Sequence, residues 1–150
     1  MDWKTYHFEE LTTKDLYEVL KLRVDVFVVE QNCPYPELDN LDQQSIHLLC
    51  REDGVIQSYA RLVPAGAKYD LPSIGRVIVR KEARGRGLAK ELLERSIDYI
   101  LTEWKSPAIQ LQGQVYLQEF YQSFGFQPIS ESYDEDGIPH VDMKLTNSKM

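Results

Sequence analysis

The stretch "RVIVRKEARGRGLAKELL", residues 76–93, passes from a β-branched run into a Gly-Arg-Gly turn and then into helical spacing. Val77, Ile78 and Val79 end a strand that begins near Ser73, because β-branched side chains suit the extended backbone. Gly85 and Gly87 allow a tight turn and close approach of backbone to a ligand. From Leu88 the apolar residues recur at Leu92, Leu93, Ile97, Ile100, Leu101 and Trp104. That is the period of a helix with one buried face, and Pro107 stops it. A helix start leaves its first N–H groups without internal partners and carries about half a positive charge. The strand–turn–helix is therefore an anion site in outline. Side-chain charge agrees: Arg76, Arg80, Lys81, Arg84, Arg86 and Lys90 against Glu82 give +5, in a chain whose net charge is −7.

Upstream, "SIHLLCRE" and "VIQSYARLVP" flank Asp53-Gly54, a pair that supplies positive φ and predicts a β-hairpin. "WKTYHFEEL" predicts a first strand, and "TTKDLYEVLKLRVDVFVVEQ" one continuous helix capped by Thr12 with Asp15. "NCPYPELDNLDQQ" and "AGAKYDLP" are loops. Downstream, "AIQLQG" predicts a short buried strand, and "QVYLQEFYQSFGF" a short helix that Gly125 closes with a left-handed cap. "FQPISESY" and "PHVDMKL" predict two last strands around the acidic turn "DEDG". No linker-like stretch divides the chain. The order predicts one α/β (α+β) domain over residues 1–150, a mixed, mostly antiparallel twisted sheet flanked by helices.

Composition narrows the function. No apolar run approaches the ~20 residues of a membrane span, and the N-terminus lacks the pattern of a signal peptide, so a cytoplasmic location is expected. A generally acidic chain repels nucleic acid, whereas one compact cationic patch suits a small phosphorylated ligand. Cys33 and Cys50 have neither the density of a disulfide framework nor the spacing of a zinc site, and no metal is expected. Cys50 reads as a core residue. Cys33, before Pro34, reads as a loop cysteine that either packs or lies near a site.

The P-loop pattern G-x-x-x-x-G-K-[ST] and the dinucleotide pattern G-x-G-x-x-G are both absent. Arg84-Gly85-Arg86-Gly87-Leu88-Ala89 instead fits [Q/R]-x-x-G-x-[G/A] after a strand ending at Val79. Further on, "EFYQSFGF" (119–126) is like F-Y-x-x-x-G-F, and the polar Gln114 stands seven residues before Tyr121. On these motifs the chain resembles the GNAT superfamily of N-acetyltransferases. "LRVDVFVVEQNCPYPELDNLD", "HLL" and "EDGIPHVDM" narrow the resemblance to its ElaA-like branch.

The resemblance implies a GNAT-type fold with strands splayed at the acyl-CoA site and acetyl-CoA as cosubstrate. It implies transfer of the acetyl group to an amine, of a small molecule or a protein, by direct attack on the thioester. Backbone N–H groups of Val77, Ile78 and Val79 would hold the pantetheine arm and the thioester carbonyl. Arg84, Gly85, Arg86, Gly87, Leu88 and Ala89 would seat the pyrophosphate, and Gln114 and Tyr121 would touch the cofactor. Tyr121 matches the general acid position, where a phenol of ordinary pKa near ~10 is protonated at neutral pH and can donate to the departing thiolate. The base stays open. Glu30 ends the first helix, His140 follows Pro139, and His47 begins a strand; each is a candidate to meet the acceptor. The acidic residues Asp39, Asp42, Asp134, Glu135 and Asp136 could draw in a cationic acceptor. The alternative is a non-catalytic acyl-CoA-binding or sensing module, against which an intact loop together with Tyr121 argues. An edge strand in such a sheet offers a surface for a homodimer.

Overall fold

The hairpin forms around Asp53 and Gly54, whose φ values of 52° and 79° suit the mirror-image turn that matches strand twist. It joins β2 (Ile46–Glu52) to β3 (Val55–Val63). The computed structural model describes residues 1–148. Its other strands are β1 (Asp2–His7), β4 (Ser73–Val79), β5 (Ala108–Gln114), β6 (Gln127–Pro128), β7 (Tyr133–Glu135) and β8 (Ile138–Thr146). They form one open mixed sheet in the order β1-β2-β3-β4-β5-β8-β6, with β7 paired to β8. Every pairing is antiparallel except that of β4 with β5.

Both faces of the sheet are covered, because successive strand residues point to opposite sides. Leu48 joins the cluster that contains Leu92, Leu93 and Ile100 of α2 (Leu88–Thr102). Its neighbour Leu49 joins Val19 and Leu22 of α1 (Thr13–Val24) in a second cluster. The expected cap holds: the Asp15 N–H donates to Thr12 Oγ1 at 3.0 Å, and Thr12 N–H donates to the Asp15 carboxylate at 3.1 Å. A third helix, α3 (Gln118–Gln122), precedes Gly125, whose φ is 104°.

Two sequence expectations need correction, and one expected strand carries an irregularity. The helix expected to continue to Gln31 is α-helical only to Val24; Asp25–Glu30 is π-helical, with N–H groups of Gln31 and Cys33 reaching the carbonyls of Val26 and Val28. Such one-turn widenings shift the side-chain phase and recur beside functional sites. The C-terminal segment forms three strands rather than two, β7 and β8 making a hairpin over Asp136 and Gly137. Finally, β4 is irregular. Its register against β3 shifts opposite Ala60, and Arg76 there has φ 50°, a left-handed conformation uncommon for a side chain other than glycine, asparagine or aspartate. An extra residue of this kind bends the strand. The ladder of β4 with β5 is confined to Ser73 opposite Gln110, and beyond it the two strands diverge.

Candidate active site

The divergence opens a cleft of about 820 Å3. Val77, Ile78 and Val79 form one wall, Gln112 and Gln114 of β5 the other, and Tyr121 of α3 closes the side. At one end stand Arg84, Gly85, Gly87, Leu88 and Ala89, so the turn and the splayed strand meet in one continuous cavity. Gly85 and Gly87 have φ of 85° and 77°, and a Cβ at either would meet nothing within 4 Å. Glycine is required there by backbone conformation, not by crowding. Gly87 caps α2, whose first internal bond is from the Glu91 N–H to the Gly87 carbonyl at 3.3 Å. The N–H groups before Glu91 therefore have no partner within the helix. This turn fits a phosphate through its backbone.

The side chains of that stretch do something else. Arg84 forms a two-pronged pair with Glu30 at 2.9 and 3.1 Å, and its Nε donates to the Val79 carbonyl at 3.0 Å. Arg86 pairs with Glu52 at 2.9 Å and does not line the cleft. Arg80 donates to the Ile56 carbonyl, and Arg76 to the Glu37 carboxylate at 2.7 Å. Of the six expected cations, Arg76, Arg84 and Arg86 are thus offset by carboxylates from distant parts of the chain. Lys81 and Lys90 remain exposed and without an ion pair among the described residues.

Tyr121 is 7% exposed and sits among Phe120 and Phe126, ring centroids 5.5 and 6.3 Å away. Burial, with Tyr116 adding to it, pushes its phenol up to about 12. It is a proton donor across the neutral range.

The three base candidates separate clearly. Glu30 lines the cleft but is held by Arg84, whose hydrogen bond lowers its pKa. His47 is a correction: it is fully buried, contacts the Tyr59 hydroxyl at 2.6 Å and the Asp42 carbonyl at 2.9 Å, and does not line the cleft. Burial lowers its pKa. His140 lines the cleft, stands opposite Gln114 across β5 and β8, and stacks on Tyr133. Its Nδ1 lies 2.7 Å from the Ile138 carbonyl. A carbonyl only accepts, so Nδ1 carries the proton, and in the neutral ring Nε2 keeps its lone pair.

Sequence reading missed a chain of ion pairs at the other end of the cleft, of which Asp39, Arg61 and Arg76 line it while Arg23, Glu37 and Asp42 lie behind them. Arg23, completely buried, donates to Glu37 and Asp42 at 2.7 Å each. Arg61 reaches Asp39 at 2.7 Å and Asp42 at 3.0 Å. Arg76 completes the chain of ion pairs through Glu37 and Asp39, and the Tyr35 hydroxyl donates to Glu37. Burial raises the pKa of Asp39 and Asp42, but hydrogen bonds and charge from the arginines outweigh it and hold both below the usual carboxylate range. These partners lie 14 to 39 residues apart, so no local pattern announces them. Asp134 does not line the cleft, while Glu135 and Asp136 do. Cys33 is buried at its edge and donates to the Asp136 carbonyl at 3.3 Å.

Comparison with known proteins agrees with this architecture. The family model described as an acetyltransferase (GNAT) domain matches residues 15–147. The protein ElaA of Escherichia coli strain K12 is 39% identical over 145 residues, covering 95% of each chain. The crystal structure of Escherichia coli ElaA superposes with a TM-score of 0.90 at 38% identity, over 97% of this chain and 99% of that one. The crystal structure of an acyl-CoA N-acyltransferase from Pseudomonas aeruginosa gives 0.92 at 40% identity, with the same coverage of 97% and 99%. No helix among the described residues is long and apolar enough to cross a membrane. A match of this extent, on a sheet that opens between β4 and β5, shows that the chain belongs to the GNAT acetyltransferase family and is an acyltransferase.

Proposed function

We propose that the protein transfers an acetyl group from acetyl-CoA to an amine. The observation that carries this reading is the single cleft uniting the Gly85–Gly87 turn, the splayed end of β4 and the buried Tyr121. Backbone N–H groups of Gly85 to Ala89 would take the pyrophosphate. Along Val77–Val79 the edge of β4 turned away from β3 would face the pantetheine arm and the thioester carbonyl. Preorganised donors at a developing oxyanion are typically worth about 3–4 kcal/mol.

The proton inventory assigns the remaining roles. The acceptor amine enters as an ammonium and must lose one proton before its lone pair attacks the thioester carbon. His140 takes that proton at Nε2, because its Nδ1 is already committed to the Ile138 carbonyl. When the carbon–sulfur bond breaks, Tyr121 gives its proton to the thiolate, and the second proton that the attacking nitrogen sheds as the amide forms restores the phenol. Glu30 is the weaker base, since ionisation is what its pair with Arg84 stabilises. At the acceptor end Asp39 is already held by Arg61 and Arg76, and Glu135 and Asp136, which have no ion pair among the described residues, are the carboxylates left to meet an amine that arrives charged. A single domain over residues 1–150 supplies every group this reaction needs.

Calorimetry with acetyl-CoA and desulfo-CoA, followed by thiol release across a panel of amines, tests the reading. Micromolar binding and amine-dependent thiol release are expected. No binding of either ligand would refute it, and binding without turnover across a broad panel would favour a sensing module instead.

A further inference from the structure

Gly113 is the last but one residue of β5 and still pairs with Val141 of β8, a place where glycine weakens a strand by adding backbone freedom and removing a side chain to pack. The usual reason for glycine is missing: its φ is not positive, unlike that of Gly85 or Gly87. Strand periodicity makes its position stranger. Ile109 and Leu111, four and two residues earlier, are buried in the core cluster, and alternation puts residue 113 on the same face. A third large apolar side chain is what the pattern calls for.

The space is taken by Tyr121. A Cβ built on Gly113 would lie 3.0 Å from Cε2 and 3.1 Å from Cδ2 of that ring, and 3.4 Å from Leu111 Cδ1. The ring is hemmed in elsewhere by Phe120 and Phe126, both within the same packed core. The same residue lines the cleft, so a shift of its ring moves a group of the site.

We infer that Gly113 is a positioning residue: its missing side chain makes room for the Cδ2–Cε2 edge of the Tyr121 ring against β5 and so sets where the phenol proton is delivered. This rests on the proposed role of Tyr121 as the acid. One methyl group at residue 113 displaces the ring by a few tenths of an ångström. Misplacement by 1 Å costs about 10²-fold in rate, so Gly113→Ala loses about tenfold in kcat. Acetyl-CoA affinity changes by less than about twofold, because Gly113 itself does not line the cleft.

The test is a double-mutant cycle in the full chain with acetyl-CoA and an accepted amine, with calorimetric binding of acetyl-CoA as the check of folding. Tyr121→Phe alone loses about 10²-fold in kcat. Gly113→Ala loses about tenfold in the wild-type background but less than about twofold when added to Tyr121→Phe, since no hydroxyl remains to misplace. Additive losses, or an unchanged kcat in Gly113→Ala, would overturn the inference while leaving Tyr121 as the acid. Full turnover in Tyr121→Phe would overturn both. If Gly113→Ala proves too unstable to assay, thermal unfolding decides. In the Tyr121→Ala background, with no ring to meet, adding Gly113→Ala leaves Tm unchanged or raises it; a further fall would show that the ring is not what residue 113 accommodates.

Discussion

Replacing Arg23 by methionine probes the chain of ion pairs where it is most deeply buried. The guanidinium is 0% exposed and donates to Glu37 and Asp42 at 2.7 Å each. Its loss leaves three carboxylates facing two arginines. Asp42 keeps Arg61 at 3.0 Å and Glu37 keeps Arg76 at 2.7 Å, so neither carboxylate is stranded alone. Removing one partner of a buried pair costs about 3–5 kcal/mol, and the surviving contacts favour the lower end. For a domain of this size about 3 kcal/mol is a fall in Tm of roughly 6–12 °C. The pH dependence gives a second handle. Folding holds Asp39 and Asp42 below the ordinary carboxylate range, so their contribution is complete above about pH 4 and is lost as pH falls through their folded values. With Arg23 gone the depression is smaller and less stability remains to be lost. Urea unfolding at pH 7 and at about pH 2, well below the unfolded carboxylate value, should therefore show a wide gap between variant and wild type that narrows in acid. A variant within 1 kcal/mol of wild type at pH 7, or a gap that is constant with pH, would refute the reasoning.

Other expectations concern the cleft. Glu30→Gln releases Arg84 from its two-pronged pair; kcat should change by less than about threefold, while acetyl-CoA binds up to about fivefold more tightly at low salt, the scale of an exposed ion pair. A hundredfold fall in kcat would return Glu30 to the role of base. His140→Ala should lower kcat by about 10²-fold, with partial recovery on adding imidazole; failure of any small base to restore rate would count against His140. Because burial pushes the Tyr121 phenol up to about 12, the acid stays protonated and the rate should hold through pH 10, where an unperturbed phenol would be half ionised. A downturn centred near pH 10 that disappears in Tyr121→Phe would contradict that burial.

What the sequence disclosed and what it withheld divide by range. The hairpin at Asp53-Gly54, the capping pair at Thr12 and Asp15, and α2 with its glycine cap rest on neighbours a few residues away, and local chemistry dictates them. The π-helical turn at Asp25–Glu30 did not show, because an apolar run such as Val26 to Val29 satisfies several helical periods equally. The bulge at Arg76 did not show either; nothing local marks an arginine for φ 50°, and its side chain is anchored 39 residues away on Glu37. His47 reads from sequence as a cleft residue only because its true partners, Tyr59 across the hairpin and the Asp42 carbonyl, become neighbours through folding.

The concentration of arginines around the turn acquires a different meaning from this geometry. Counted along the chain they promise attraction for a small phosphorylated ligand. Placed in the fold, Arg76 secures the bulge to the loop around Glu37, and Arg84 secures the end of β4 to the π-helical turn through Val79 and Glu30. Two of these charges thus hold the strand open from either side of Val77–Val79. The forked, planar guanidinium suits that work, since it binds a carboxylate with two parallel N–H bonds and still has an Nε–H for a carbonyl. In the proposed site the attraction for phosphate would then fall to the backbone of Gly85 to Ala89 and the start of α2, which need no side-chain charge. On that reading the arginines act chiefly as clamps on the wall, and the glycines form the seat.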